Sequence, residues 1–285
     1  MDIYSGPISL KQIICFNSEL VVSSLFFSFL FFYCYFTMSG KQDYYGSNSS
    51  SSSNALSRPV RRHLVNVYLT LAAMCAIATV GTQVGEYLGP AGSTLGSLGT
   101  IGSVSMFRFT SPNSTSRWSL LGTYSIFSGI ALSTFLSFFL DWDPSGNIVF
   151  MALSSAVLIF LGFSMSAVMA NRRSMLYVGG FSSTVLGVLL WLSLANTFFL
   201  RSASVFSFEL YAGLLAFAGF VMYDTQMIVE RASAGSRDIP GHSMELFMDL
   251  YSLFIRLAQI LMKKEMDREN EKKRKRGPNR LTRDY

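Results

Sequence analysis

From Leu64 onward the chain alternates long apolar segments with short polar breaks. The apolar segments fall at 64–88, 91–107, 118–140, 147–170, 175–199 and 206–229. The later breaks are SPNSTSR at 111–117, DWDPSGN at 141–147, NRRS at 171–174 and LRSAS at 200–204. Most segments are near the roughly 20 residues that a helix needs to span a bilayer core. In lipid, backbone N–H and C=O groups must bond within their own segment, so the pattern predicts helices.

Two of these segments carry lines of small residues. The second holds Gly92, Gly96, Gly99 and Gly102, a spacing that lets helices approach closely. In the sixth, Ala212, Ala216 and Gly219 step by four and three toward Tyr223. Asp224 is the next residue, about 100° to one side of that line, so it flanks the close-contact face within reach of a neighbouring helix.

A seventh segment, SMELFMDLYSLFIRLAQILM at 243–262, has a different pattern. Its polar positions Glu245, Asp249, Ser252, Arg256, Gln259 and then Lys263 step by four, three, four, three and four, which puts them on one helical stripe. Leu246, Phe247, Leu250, Leu253, Phe254, Leu257 and Ile260 form the opposite face.

The N-terminal region departs from this regularity. Residues 20–38 are apolar and rich in Phe, readable as a signal peptide, a signal anchor or an extra span. A Ser-rich polar stretch follows at 39–54 and reads as disordered; a start at Met38 would remove the Phe-rich run.

Charge sharpens the membrane reading. Only 14% of residues are charged, against about 25% in a soluble domain. Residues 64–200 contain seven charged side chains: Glu86, Arg108, Arg117, Asp141, Asp143, Arg172 and Arg173. These suffice for loops but cannot coat a soluble globule. The net +6 is concentrated in the tail, where residues 263–285 hold ten Lys or Arg against five acids. Such a tail suits a cytosolic end beside anionic lipid; no groove or aromatic platform suggests nucleic acid. Positive-inside bias puts Arg61, Arg117 and Arg172 in the cytosol as well. Both placements hold if 243–262 is re-entrant or does not fully cross; if it crosses, one loop assignment fails.

Candidate chemistry is sparse. Cys15, Cys34 and Cys75 have no metal or redox spacing. His63 and His242 sit at segment edges with no third ligand, so solvated histidines are expected. No nucleophile-elbow, zincin or phosphate-loop motif is present, and no serine has a base placed beside it, so an enzyme is not expected. Asp224 and Asp249 remain as acids inside apolar segments. A charge at mid-bilayer costs roughly 2.5–3.5 kcal/mol on insertion scales, and such residues usually mark ion or proton paths. Two carboxylates brought together repel when both are ionised, so they would share a proton or hold a cation, and hard carboxylate oxygens suit calcium. Against this stand a plain salt bridge from Asp249 to Arg231 or Arg256, and a surface-lying amphipathic helix. The residue pattern leaves these alternatives open.

Three stretches carry a family resemblance. RRHLVNVYLTLAAMCAIATVG at 61–81, FELYAGLLAFAGFVMYDTQMIVERA at 208–232 and HSMELFMDLYSLFIRLAQILMKK at 242–264 resemble the first, sixth and last helices of Bax inhibitor proteins. The likeness covers about residues 58–276, and Tyr-Asp-Thr-Gln with the spaced second Asp is its most specific part. It implies an all-α bundle of six helices around a central seventh, in the endoplasmic reticulum membrane. It also implies a slow, pH-sensitive calcium leak and opposition to stress-induced cell death. The family's paired aspartates fall on Asp224 and Asp249, which would bind and gate calcium as the permeant ion. Arg256 and Glu245 would tune them, and the basic tail matches the family tail linked to pH response.

The expected organisation is an N-terminal extension at 1–57, a transmembrane bundle at 58–264 and a charged cytosolic tail at 265–285. Expected partners are the lipid bilayer, cell-death regulators and other membrane proteins, with no cofactor. The rival is a non-conducting membrane scaffold that regulates cell-death or stress-signalling proteins.

Overall fold

The structure is a computed structural model that describes residues 57–276, except Asn113, residues 170–174 and Arg201. The Phe-rich run, the Ser-rich stretch, Met38, Cys15, Cys34, Arg172, Arg173 and the last nine residues of the tail lie outside the described residues.

Seven α-helices follow in order: α1 Arg58–Leu88, α2 Pro90–Phe109, α3 Ser116–Trp142, α4 Asn147–Met169, α5 Met175–Ala195, α6 Ala203–Ser233 and α7 Ile239–Arg276. A π-helical turn, Asn196–Leu200, extends α5. Each coincides with a predicted apolar segment, but α1, α6 and α7 run several residues past its ends, because a helix does not stop where its side chains turn polar. α1 and α2 are separated only by Gly89, whose φ of 62° is readily open to glycine. At the next hairpin, Asp143 Oδ2 accepts the Ile148 N–H at 3.1 Å and Oδ1 accepts the Ser145 N–H at 3.2 Å. The Ser145 hydroxyl and these amides hold the Asp143 carboxyl below the usual carboxylate range.

Among the described residues, α1, α3, α4, α6 and the stretch Val178–Leu200 are long and apolar enough to cross a membrane. Their outward faces expose large apolar side chains such as Leu69, Phe150, Leu158, Trp191 and Leu215, as a lipid-facing surface requires. The chain is a multi-pass helical membrane protein. α7 has the opposite character. From Pro240 to Met262 every residue but Leu250 and Leu261 is buried, on the apolar and polar faces alike. It packs directly against α1, α3, α4 and α6, while α2 and α5 pack on α3 and α6. This is the expected all-α bundle with the last helix at its centre, and it removes the surface-lying alternative for 243–262.

The close helix crossings are made by small residues. A methyl on Gly129 would lie 2.0 Å from the Ala78 carbonyl oxygen, and one on Gly81 2.4 Å from that of Ile126, so α1 and α3 touch backbone to backbone. Of the glycines in α2, Gly96 abuts the backbone at Ala131 and Gly99 the ring of Phe127, which makes them packing residues. On α6, Gly219 meets Ser182 and Tyr223 meets Gly179, so the small-residue line faces α5.

The ends of the bundle can be told apart. His63 at the start of α1 touches His242 at the start of α7, and Arg117 at the start of α3 pairs with Asp238. We call this the basal end. At the far end Lys263 of α7 meets Ser207, near the start of α6. The buried run of α7 rises roughly 35 Å, about the depth of a bilayer core. α7 is therefore one continuous helix through the bundle. Arg61 and Arg117 stand at one end of the bundle and the basic tail leaves from the other.

Candidate functional site

The direction expected for Asp224 from the helical repeat is the one observed. With the small-residue line against α5, the adjacent face of α6 carries Glu209, Gly213, Phe217, Phe220 and Asp224 at steps of four, four, three and four. α7 presents Asp249, Ser252, Arg256 and Gln259 at steps of three, four and three. The two stripes bring acids together near the basal end and a basic residue opposite an acid farther along.

Asp249 is fully buried and Asp224 is 9% exposed. Their carboxyl groups lie close enough to act on each other electrostatically. The two carboxyls are within hydrogen-bond reach of each other, and Asp249 has no other hydrogen-bond partner among the described residues. A buried carboxyl whose one partner is a second carboxyl is the exceptional feature of this region.

The surrounding groups are satisfied. Arg231 Nη1 contacts Glu245 Oε1 at 3.0 Å, one turn basal of Asp249. Gln226 Nε2 donates to the Ala167 carbonyl at 2.7 Å, Thr225 Oγ1 lies 3.0 Å from Ser164 Oγ, and Tyr68 meets Ser164. These bonds tie α1, α4 and α6 together beside the diacid. Ser243 Oγ donates to the Val67 carbonyl at 3.1 Å and fixes α7 to α1.

The four sequence-predicted site residues therefore divide. Asp224, Asp249 and Glu245 lie together, Glu245 acting electrostatically on both aspartates. Arg256 does not join them; it faces Glu209 two turns away. The plain salt bridge for Asp249 is not formed, because Arg231 is taken by Glu245 and Arg256 points elsewhere.

Three features escaped the sequence reading. His63 and His242 are not solvated: they are 7% and 3% exposed, with Nε2 and Nδ1 2.9 Å apart. Both helices begin before these residues, which turns apparent segment edges into helix interior. Arg117 Nη1 pairs with Asp238 Oδ2 at 2.5 Å and stacks 4.1 Å over the Phe107 ring. Glu209 is a second acid in the sixth apolar segment, beside Asp224; its charge beside the GLLAFAG run was the available signal.

Asp224 and Asp249 hold two hard oxygen ligands each, and no cluster of three or more His, Cys, Asp or Glu suited to a metal occurs among the described residues.

Comparison with known proteins gives a consistent family. Residues 60–266 match the family model described as "Inhibitor of apoptosis-promoting Bax1". Bax inhibitor 1 of Arabidopsis thaliana is 36% identical over 215 residues, 75% of this chain and 86% of that protein. Its counterpart in Oryza sativa subsp. japonica is 35% identical over 235 residues, 81% and 92% of the two chains. The human Bax inhibitor 1 is 34% identical over 219 residues, 75% and 90%. These names are those of inhibitors and not of enzymes. The central helix, the facing aspartates and the family match over residues 60–266 lead to one conclusion: the chain belongs to the Bax inhibitor family.

Proposed function

We propose that this protein is a pH-sensitive calcium leak channel of the endoplasmic reticulum membrane that opposes stress-induced cell death. The supporting observation is the buried Asp249 carboxylate, which faces Asp224 and has no other hydrogen-bond partner among the described residues. A carboxylate isolated in a low-dielectric interior is costly unless it is neutralised. A shared proton does this in one state and a passing cation in another. Calcium prefers carboxylate and carbonyl oxygens and tolerates irregular geometry, so it suits a wall of this kind.

The gate follows from the position of α7. While Asp224 and Asp249 share a proton they pin the central helix to α6. When both are ionised they repel, and α7 is loosened along its polar stripe. Two interacting acids titrate as a pair, which makes the path responsive to pH. Glu245, already engaged by Arg231, adds negative charge one turn away and biases the pair. The role in cell death and the endoplasmic reticulum location rest on the resemblance and on the relatives' names.

The discriminating experiment is calcium entry into liposomes carrying the full chain and an internal calcium dye. Flux above that of empty liposomes, lost in Asp224→Asn and Asp249→Asn, supports the channel. Flux equal to the empty control points to the non-conducting scaffold.

A further inference from the structure

Glu209, Gly213 and Phe217 stand at successive steps of four on the α6 face turned to α7. The Arg256 guanidinium fills the slot they make. Its Nη1 donates to the Glu209 carbonyl at 3.2 Å, and its Cζ lies 5.2 Å from the centre of the Phe217 ring. A methyl on Gly213 would come within 2.4 Å of Cζ, so the slot exists because residue 213 has no side chain. Arg256 and Glu209 are each 3% exposed, and they attract each other.

The polar groups near this pair are buried as well. Ser193 lies beside Glu209, its hydroxyl within hydrogen-bond reach of the carboxylate. One turn beyond Arg256, neither polar atom of the buried Gln259 amide has a hydrogen-bond partner among the described residues. A buried amide with both polar atoms open calls for water or an ion.

We propose that Glu209, Ser193 and Gln259 form a second cation site, in series with Asp224–Asp249, which the chain's own Arg256 occupies at rest. A permeating divalent cation must displace the guanidinium from Glu209 to pass. This proposal rests on the leak reading. Asp249 and Arg256 are seven residues apart, about 10 Å along α7, so the two sites are successive stations on one stripe. The three side chains offer hard oxygens of the kind calcium takes with water. A tethered guanidinium supplies the competing charge that keeps the leak slow.

The test uses the full chain in liposomes. Arg256→Gln vacates the slot, and Gly213→Ala expels the guanidinium while leaving its charge. Each raises calcium flux several-fold, and the double variant does no more than either single, because both remove one contact. Unchanged or reduced flux in folded Arg256→Gln, beside a conducting wild type, overturns the proposal. Should Arg256→Gln fail to fold because Glu209 is left unpaired, Gly213→Ala, which keeps both charges, carries the same prediction.

A second readout does not depend on conduction. Ser193→Cys, with Cys15, Cys34 and Cys75 changed to Ala, is labelled by a small water-soluble methanethiosulfonate cation. Labelling accelerates with Arg256→Gln, and millimolar calcium slows it unless Glu209 is also changed to Gln. Labelling insensitive to both overturns the second site while leaving the leak reading intact. Absent flux with the expected labelling overturns the leak reading alone.

Discussion

Arg231 Nη1 lies 3.0 Å from Glu245 Oε1, and this pairing leaves Asp249, one turn farther along the central helix, without a cation of its own. Asp224, Glu245 and Asp249 thus stand together, and the Arg231 guanidinium beside them is committed to Glu245. Asp224 and Asp249 must then be neutralised by a proton or by a cation from outside the protein.

The pairing also predicts an asymmetry in stability. Arg231→Gln strands the buried Glu245 carboxylate and costs about 1–3 kcal/mol, the penalty of a buried group left unsatisfied. Glu245→Gln costs less, because the Arg231 side chain is 35% exposed and can turn to water. Thermal unfolding in detergent checks the order: a larger fall in Tm for Arg231→Gln is expected.

The histidine pair makes a parallel case. His63→Gln or His242→Gln breaks the buried 2.9 Å contact between α1 and α7 and costs about 1–3 kcal/mol. The double substitution costs less than the sum of the singles, since neither ring is then left without its partner. Additive Tm shifts would mean that the two rings contribute independently.

The helix crossings predict opposite outcomes for one substitution. Gly129→Ala places a methyl 2.0 Å from the Ala78 carbonyl oxygen and costs about 1–3 kcal/mol or more, because the obstacle is backbone. Gly102→Ala meets nothing within 4 Å and stabilises by about 0.5–1 kcal/mol through helix propensity. Expression level and Tm of the two variants separate them.

The course of α7 predicts sidedness. Arg237 is exposed in the connection between α6 and α7 at the basal end, and the basic tail emerges at the other. In sealed microsomes, trypsin cuts at Arg237 or in the tail, but not at both. Cleavage at both from the outside would mean that the helix turns back.

Much of this arrangement was legible beforehand. Spans were visible because lipid allows so few charges, and the direction of Asp224 followed from the angle between adjacent helical residues. The polar stripe of α7 showed that Asp249 and Arg256 share a face. It could not show which partners that face meets, because pairing across helices depends on tilt and separation and not on spacing within one chain. Arg256 accordingly met Glu209, held by a slot that only Gly213 permits. The burial of His63 and His242 was hidden for a different reason: helix starts extend beyond the apolar run, so position at its edge says little about exposure.

The account turns on the two facing aspartates, and calcium flux into dye-loaded liposomes tests them most directly. Wild-type protein should conduct above empty liposomes, with a flux that changes with pH. Asp224→Asn and Asp249→Asn should each reduce it to the empty-liposome level and abolish the pH response. Flux and pH response identical to wild type in both variants, in protein that remains folded, would contradict the account.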